Sequence, residues 1–273
     1  MKPLSSFFGL NPKKALKKIT TWQKCPEHGS YQATEIWLGD ELKSRDMCPV
    51  CAREQEKREV AELEEKRKEE IRQRQIDRRE FARIPLEYRE KGFDDFVCTT
   101  ASQAKALDLS KRFVRGWEKA KAGGYGLFFI GNCGTGKTHL ACAILQALID
   151  RYEDFSPYYY RTSEVFSAVR RTYIANAKFT EEDVIKRFCS MDLLVLDEIG
   201  VQKGSEAERR TLFAILDTRM ENKKPTILLT NLKRKELEEV IGERLYDRIR
   251  SKCVPFVFQG ESMRPTATAE LFD

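Results

Sequence analysis

Histidine is nearly missing from this chain: His28 and His139 are the only two in 273 residues. A mechanism built on an imidazole base therefore has just two candidates. Long apolar runs are missing as well. No stretch approaches the ~18–20 apolar residues that a membrane span requires, which excludes a spanning helix. The opening MKPLSSFFGLNPKKALKK has too short an apolar core and no small-residue cleavage site. Neither a secretory leader nor a membrane association is expected, and a cytoplasmic location is. A large excess of one charge is also lacking. Net charge is +6, with 8 basic and 5 acidic residues in 1–51 and 11 basic and 10 acidic in 52–83. This permits nucleic-acid binding without arguing for it, because a strong footprint would be a dense basic face. The eight cysteines are too unevenly spaced for a disulfide framework. Without a secretion signal they read as reduced thiols or metal ligands.

What is present is charge: 34% of residues against roughly 25% in ordinary globular chains, so part of the molecule is a solvated segment. It falls at 52–83, where about two-thirds of positions are charged and neither Gly nor Pro occurs. Opposite charges three and four apart support a helix there. Val60, Leu63, Ile71 and Ile76 are too sparse for a sustained heptad seam. The pattern reads as a solvated helical connector, with docking onto a partner as the alternative. From Ile84 onward the composition is globular. Strands are expected at Gly126–Ile130, Tyr158–Arg161, Leu193–Leu196, Thr226–Leu229 and Val254–Phe258, with helices over 137–151, 162–175, 206–222 and 234–250. Such alternation predicts an α/β fold with a parallel sheet covered on both faces.

The strongest motif is GLFFI followed by GNCGTGKT. Gly131, Gly136, Lys137 and Thr138 fill the pattern G-x-x-x-x-G-K-[ST] between an apolar strand and a helix, and Gly134 adds backbone freedom. Glycines at these positions let the backbone N–H groups of Asn132, Cys133, Thr135 and their neighbours turn toward phosphate oxygens at a helix N-terminus. Lys137 adds a point charge and the Thr138 hydroxyl can ligate Mg²⁺, so a nucleotide with Mg²⁺ is the expected cofactor. Cys133 reads as a variable loop position, and His139 as a packing or capping residue on the first helical turn.

Sixty residues on, LLVLDE ends a buried strand in Asp197 and Glu198, at the carboxyl edge where sheet ligands bind. Asp197 would hold Mg²⁺ through its water shell, and Glu198 would orient and polarise the attacking water. The plainer alternative is that both simply cap the strand. TILLTN ends in Asn231, whose amide can reach a γ-phosphate and the lytic water, although alone it would be an ordinary strand-to-turn residue.

Cys25-x2-His28 and Cys48-x2-Cys51 lie nineteen residues apart in two Cys-Pro knuckles, CPEH and CPVC. This is the spacing of a small structural zinc site. Four protein ligands leave no position open for a catalytic water, and the histidine argues against an iron–sulfur cluster. Some fifty residues cannot build much of a core, so a bound Zn²⁺ would supply the missing stability. Cys98, Cys142, Cys189 and Cys253 read as buried packing thiols.

GNCGTGKTHLA, DLLVLDEIG, LLTN and GERLYDRIR together resemble the AAA+ ATPases of the DnaC/DnaI type, the loaders of replicative DNA helicases. The run IPLEYREKGFDDF at 84–96 is similar to the segment entering the ATPase core there and in the IstB-like relatives, and the match covers roughly 84–265. The resemblance implies a five-stranded AAA+ P-loop core. Lys137 and Thr138 would belong to Walker A, Asp197 and Glu198 to Walker B, and Asn231 to sensor 1. Arg248, or Arg244 as second choice, would reach a neighbouring subunit's nucleotide, and Arg264 would be the sensor 2 arginine. Only about fifteen residues follow the fifth strand, so little or no C-terminal lid is expected. Closure by an adjacent subunit, and hence self-association through the ATPase domain, would take its place. SEVFSAVRRTYIANAKF resembles the helix that lines a single-strand channel in the family, which implies DNA contacts from Arg170, Arg171 and Tyr173. Lys203 and Ser205 occupy a second family contact region, with Ala207 where an aromatic would stack.

The expected organisation is a zinc-binding, helicase-gripping module at 1–51, a charged helical linker at 52–83 and the ATPase domain at 84–273. The expected function is ATP-dependent delivery of a ring-hexamer replicative helicase to single-stranded DNA, with a phage or prophage origin left open. The rival is an IstB-like transposition helper ATPase.

Overall fold

The computed structural model describes residues 16–200 and 205–263. The backbone separates into two compact units, Met1–Arg72 and Gln73–Asp273.

In the first unit three antiparallel strands, β1 (Leu16–Cys25), β2 (Gly29–Leu38) and β3 (Glu41–Arg45), form a meander in the order β1-β2-β3. Alternation sends Cys25, Ala33 and Glu35 to one face, which is buried, while Leu16 and Trp22 stay exposed on the other. The Glu35 carboxylate accepts from Trp37 Nε1 (3.0 Å) and Arg45 Nε (2.7 Å), and these donors hold it below its ordinary range despite burial. Helix α1 (Pro49–Phe81) follows, 33 residues with none buried. By rise alone it is about 50 Å long. It begins three residues earlier than the charge pattern suggests, so Cys51 lies on its first turn.

The second unit takes in the last turns of α1, for a reason the charge pattern hides. Arg78 donates to the carbonyls of Ile149 (2.5 Å), Tyr152 and Phe155. These lie at and just past the C-terminal end of α4 (Lys137–Arg151), where carbonyls lack helical partners and a cation is favoured. Arg79 pairs with Asp150 at 2.9 Å, and the Tyr159 N–H donates to the Ala82 carbonyl at 2.8 Å. The end of the charged helix is therefore tied to the core, not solvated.

Five parallel strands form the sheet, β4 (Gly126–Ile130), β5 (Pro157–Arg161), β6 (Leu193–Asp197), β7 (Thr226–Thr230) and β8 (Cys253–Val257), in the order β5-β6-β7-β4-β8. The central strands are mostly apolar because both faces are covered, with polar Asp197, Thr226 and Thr230 at their ends. Leu127, Phe129, Val195, Ile227 and Leu229 enter one core cluster with α4, α2 (Ala101–Arg115) and α3 (Trp117–Gly123). Their neighbours Phe128, Leu194, Leu196 and Leu228 enter the other. That second face is covered by α5 (Thr162–Arg170), α6 (Glu181–Ser190), α7 (Glu206–Glu221), α8 (Arg234–Ile241) and α9 (Glu243–Lys252).

Three expectations change. The helix expected over 162–175 stops at Arg170 and continues only as a 3₁₀ turn, Arg171–Tyr173. The single helix expected over 234–250 is two, parted at Gly242, whose φ of 86° no helix accommodates. Cys142, Cys189 and Cys253 are buried, but Cys98 is exposed, because 97–100 runs over the surface before Thr100 caps α2. Among the described residues no helix follows β8, and none is long and apolar enough to cross a membrane.

Candidate nucleotide site and metal cluster

The loop between β4 and α4 turns through Gly131, Gly134 and Gly136, all at positive φ. At Gly136 (φ 97°) a Cβ would also lie 2.5 Å from the Phe96 ring, so no other residue fits without displacing it. The loop thereby delivers Lys137 and Thr138 to the first turn of α4, with the Lys137 ammonium donating to the carbonyls of Gly131 (2.7 Å) and Asn132 (2.6 Å). The Thr135 hydroxyl donates to the Asn132 carbonyl at 2.9 Å. Cys133 is exposed, and its sulfur accepts from the Asn231 amide at 3.6 Å, which brings the tip of β7 to the loop.

β6 ends beside it. Thr138 Oγ1 donates to Asp197 Oδ2 at 2.9 Å. Two adjacent ligands of an octahedral Mg²⁺ stand about 2.9 Å apart, so this hydroxyl and carboxylate fit the ion that a nucleotide would bring. Asp197 also accepts from the Tyr159 hydroxyl (2.7 Å) and the Glu198 N–H (2.7 Å), and it is buried. Burial, reinforced by the Asp197 charge, drives the Tyr159 phenol far above its ordinary range and locks it as a donor. Glu198 is exposed at the sheet's carboxyl edge in a left-handed conformation (φ 59°), which a β-carbon residue adopts at a cost of about 1–3 kcal/mol. Sequence reasoning missed Tyr159; the signal was its register, two residues before the end of the neighbouring strand. It also missed the cavity of about 250 Å³ beside the loop, where Phe96, Val97 and Met263 offer apolar walls to a nucleotide base. His139 packs on Phe96 and donates from Nε2 to the Gly92 carbonyl at 2.9 Å, as a structural residue does.

The remaining expected site residues are dispersed. Arg248 is ion-paired within the chain to Asp217 of α7. Arg244 is exposed, with its guanidinium 5.3 Å from the Phe213 ring centre. Arg170 is held by Glu208 at 3.0 Å, and the Tyr173 hydroxyl by Glu181 at 2.7 Å, while Arg171 is exposed. The Ser205 hydroxyl caps α7 by accepting from the Glu208 N–H. Lys203 and Arg264 lie outside the described residues.

In the N-terminal unit one ligand atom from each of Cys25, His28, Cys48 and Cys51 lies within 4.8 Å of the others. Cys25 Sγ is 3.5 Å from Cys51 Sγ, and His28 Nδ1 is 3.3 Å from Cys51 Sγ and 3.7 Å from Cys25 Sγ. Edges of a tetrahedral Zn²⁺ site with S and N ligands measure about 3.6–3.8 Å, so the four groups fit that ion. Backbone donors from Glu27 and His28 lower the Cys25 thiol to about 6, which makes it the readiest thiolate of the set.

Residues 50–270 match the IstB-like ATP binding protein family. The chain belongs to that family. This IstB-like protein is also 32% identical over 179 residues to the replicative helicase loader DnaC of Escherichia coli K12, across 65% of this chain and 71% of that one. It is 33% identical over 178 residues to DnaC of Buchnera aphidicola. Among solved structures, that of the DnaC helicase loader superposes with a TM-score of 0.57 at 26% identity, covering 64% of this chain and all of the other. AMPPCP-bound DnaA from Aquifex aeolicus gives 0.55 at 21% identity over 65% of this chain and 52% of its own, a likeness of fold. The family resemblance is thus sound, the fold is that of AAA+ ATPase domains, and a DnaC-like ATPase role is supported.

Proposed function

We propose that this chain loads a ring-shaped replicative DNA helicase onto single-stranded DNA, with ATP as the timer. The observation that supports it best is the 32% identity to the loader DnaC over 179 residues, 65% of this chain. The IstB-like family match suits a transposition helper equally well. The paired Cys/His knuckles favour loading, because they give the chain a separate module with which to grip a second protein.

In this reading residues 1–51 are the gripping module, 52–83 the tether and 84–273 the ATPase. Gly131 to Thr138 cradle the phosphates of ATP. Lys137 neutralises β- and γ-oxygens, and Thr138 and Asp197 would hold Mg²⁺, which when bound would offset charge on the transferring phosphoryl group. Tyr159 fixes the Asp197 carboxylate through its donated hydrogen bond. Glu198 accepts the proton of the attacking water, and Asn231 orients that water against the γ-phosphate. Arg248 of a neighbouring copy, released from Asp217, completes the site, and Arg244 is the reserve. Such an arginine accelerates phosphoryl transfer by ~10³–10⁵. Arg264 closes over the phosphates. Single-stranded DNA is held near Arg170, Arg171 and Tyr173, with Lys203 and Ser205 as a second contact. Zn²⁺ on Cys25, His28, Cys48 and Cys51 is structural.

The test is co-purification with the full chain as bait in the presence of ATP. A replicative helicase in the bound fraction supports loading, and a transposase supports the transposition reading. Lys137→Ala should abolish nucleotide-dependent capture; undiminished capture would remove the ATP-timer role.

A further inference from the structure

Both arginines expected to reach a neighbouring subunit's nucleotide are engaged within their own chain, and by the same helix. Phe213 and Asp217 stand four residues apart on α7, and Arg244 and Arg248 stand four apart on α9, so one face of each helix meets the other. The two contacts differ in kind. The Arg244 guanidinium lies 5.3 Å from the Phe213 ring centre and is exposed. Arg248 is ion-paired with Asp217, and the two side chains are only 35% and 20% exposed. Water and salt screen such a pair less than one on the open surface. Leu245, Tyr246 and Ile249 of α9 are buried, which fixes the helix on the core. Arg248 can therefore reach outward only by letting go of Asp217, a side-chain movement that leaves the fold as it is.

We infer that Asp217 is an internal stand-in for a nucleotide's terminal phosphate. It keeps Arg248 inside its own chain until ATP bound to a second copy offers a stronger anion, and it thereby sets the protein concentration at which subunits assemble and turn over ATP. The inference rests on the reading of Arg248 as the residue that completes a neighbour's site, and it adds what regulates that residue. A guanidinium presents the same N–H fork to a carboxylate and to a phosphate, so one arginine does not serve both at once. The terminal phosphate of ATP carries more charge than one carboxylate and prevails when a neighbour docks. Once hydrolysis has removed it, the competing anion is gone and Asp217 recovers Arg248. A ligand shifts such an equilibrium only by its differential affinity for the two states, and here that difference is the phosphate itself. Self-association is thus favoured with ATP and opposed with ADP. The plainer role for the pair is a brace that pins α7 to α9. Removing a brace harms assembly, whereas removing a holder favours it.

The test uses the full chain with saturating ATP and Mg²⁺, and turnover per subunit over a series of protein concentrations. Sedimentation velocity with a non-hydrolysable ATP analogue accompanies it. Asp217→Asn should lower the protein concentration for half-maximal turnover about fivefold, the scale of one partly shielded ion pair, and leave the plateau unchanged. Sedimentation should show the same shift with the analogue and none with ADP. Asp217→Glu, which restores the anion, should return the midpoint to that of the unsubstituted chain. Arg248→Ala should lower the plateau by ~10³ or more. In that background Asp217→Asn should have no further effect, since the two side chains act only through each other. A gain in assembly is not something a misfolded variant produces. An unchanged or raised midpoint in Asp217→Asn, or a lowered plateau, would overturn the holding role while leaving Arg248 in the neighbour's site. If Arg248→Ala turns over like the unsubstituted chain, or turnover per subunit is independent of protein concentration, the reading of Arg248 falls and the inference with it.

Discussion

In the N-terminal unit the buried apolar residues among those described are Cys25, Ala33 and Cys48, and two of these three belong to the Cys/His cluster that could hold a metal ion. In the ATPase unit every central strand feeds two clusters at once, and Phe128, Phe129, Leu194, Val195, Ile227 and Leu228 have no exposed surface. One unit has a thin core beside four clustered Cys and His side chains that could hold a metal ion, whereas the other holds itself by burial and places its chemistry on strand ends as a by-product. Small sheets with thin cores need a cross-link, and large parallel sheets do not.

Removing the metal should separate the two units most sharply. Structural zinc sites contribute about 10–16 kcal/mol of binding free energy that doubles as folding free energy. Chelation, or Cys48→Ser with Cys51→Ser, should therefore unfold the three-stranded sheet while the ATPase unit keeps its thermal transition. Hydrogen exchange resolved by residue checks this, and protection surviving over 16–45 after zinc is gone would break the contrast. Next in size is Glu198→Gln, expected to lower ATP turnover by about 10²–10⁴ with nucleotide binding retained. Turnover and binding isotherms on the same sample decide it, and the zinc content should not change.

A third experiment asks whether the ATPase unit depends only on burial. Arg219 has no exposed surface, yet it donates to the carbonyls of Phe188, Met191 and Pro225 and to Thr226 Oγ1. Burial lowers its guanidinium to about 10, against the opposing pull of Cys189, Asp192 and Cys253 nearby. Arg219→Met keeps the volume but strands those carbonyls, and should cost about 3 kcal/mol in urea unfolding. A loss below 0.5 kcal/mol, on the order of a surface change, would show that the polar cross-brace is dispensable. The smallest effect is expected from Tyr159→Phe. Losing one hydrogen bond to Asp197, about 1 kcal/mol, should raise the Mg²⁺ requirement of turnover about fivefold with stability nearly unchanged.

Much of this was open to reading before any fold was known. Apolar runs of five residues separated by amphipathic stretches give the five strands to within a residue, because parallel strands buried on both faces carry their environment in their composition. The phosphate loop and the Cys/His knuckles are equally legible, since each is a local constellation at fixed spacing. The meander at 16–45 was missed, although Tyr31, Thr34, Ile36 and Trp37 are strand-forming residues. Its one-sided burial is weak, and the charged residues on both faces mask the alternation. Helices α2 and α6 were missed too, despite capping boxes at Thr100-x-x-Gln103 and Thr180-x-x-Asp183 that announce their starts.

The sequence by itself determined the five strands of the parallel sheet, the glycines that bend the loop, and the Cys/His knuckles, because each depends on neighbours within a few positions. Only the tertiary structure decided that Tyr159 meets Asp197 thirty-eight residues away, that Arg78 closes the end of α4, and that Arg248 meets Asp217 across two helices. Such pairings follow from the order of strands in the sheet and the crossing of helices over it. Many compact arrangements satisfy the same local pattern, and the packing of the whole core chooses among them.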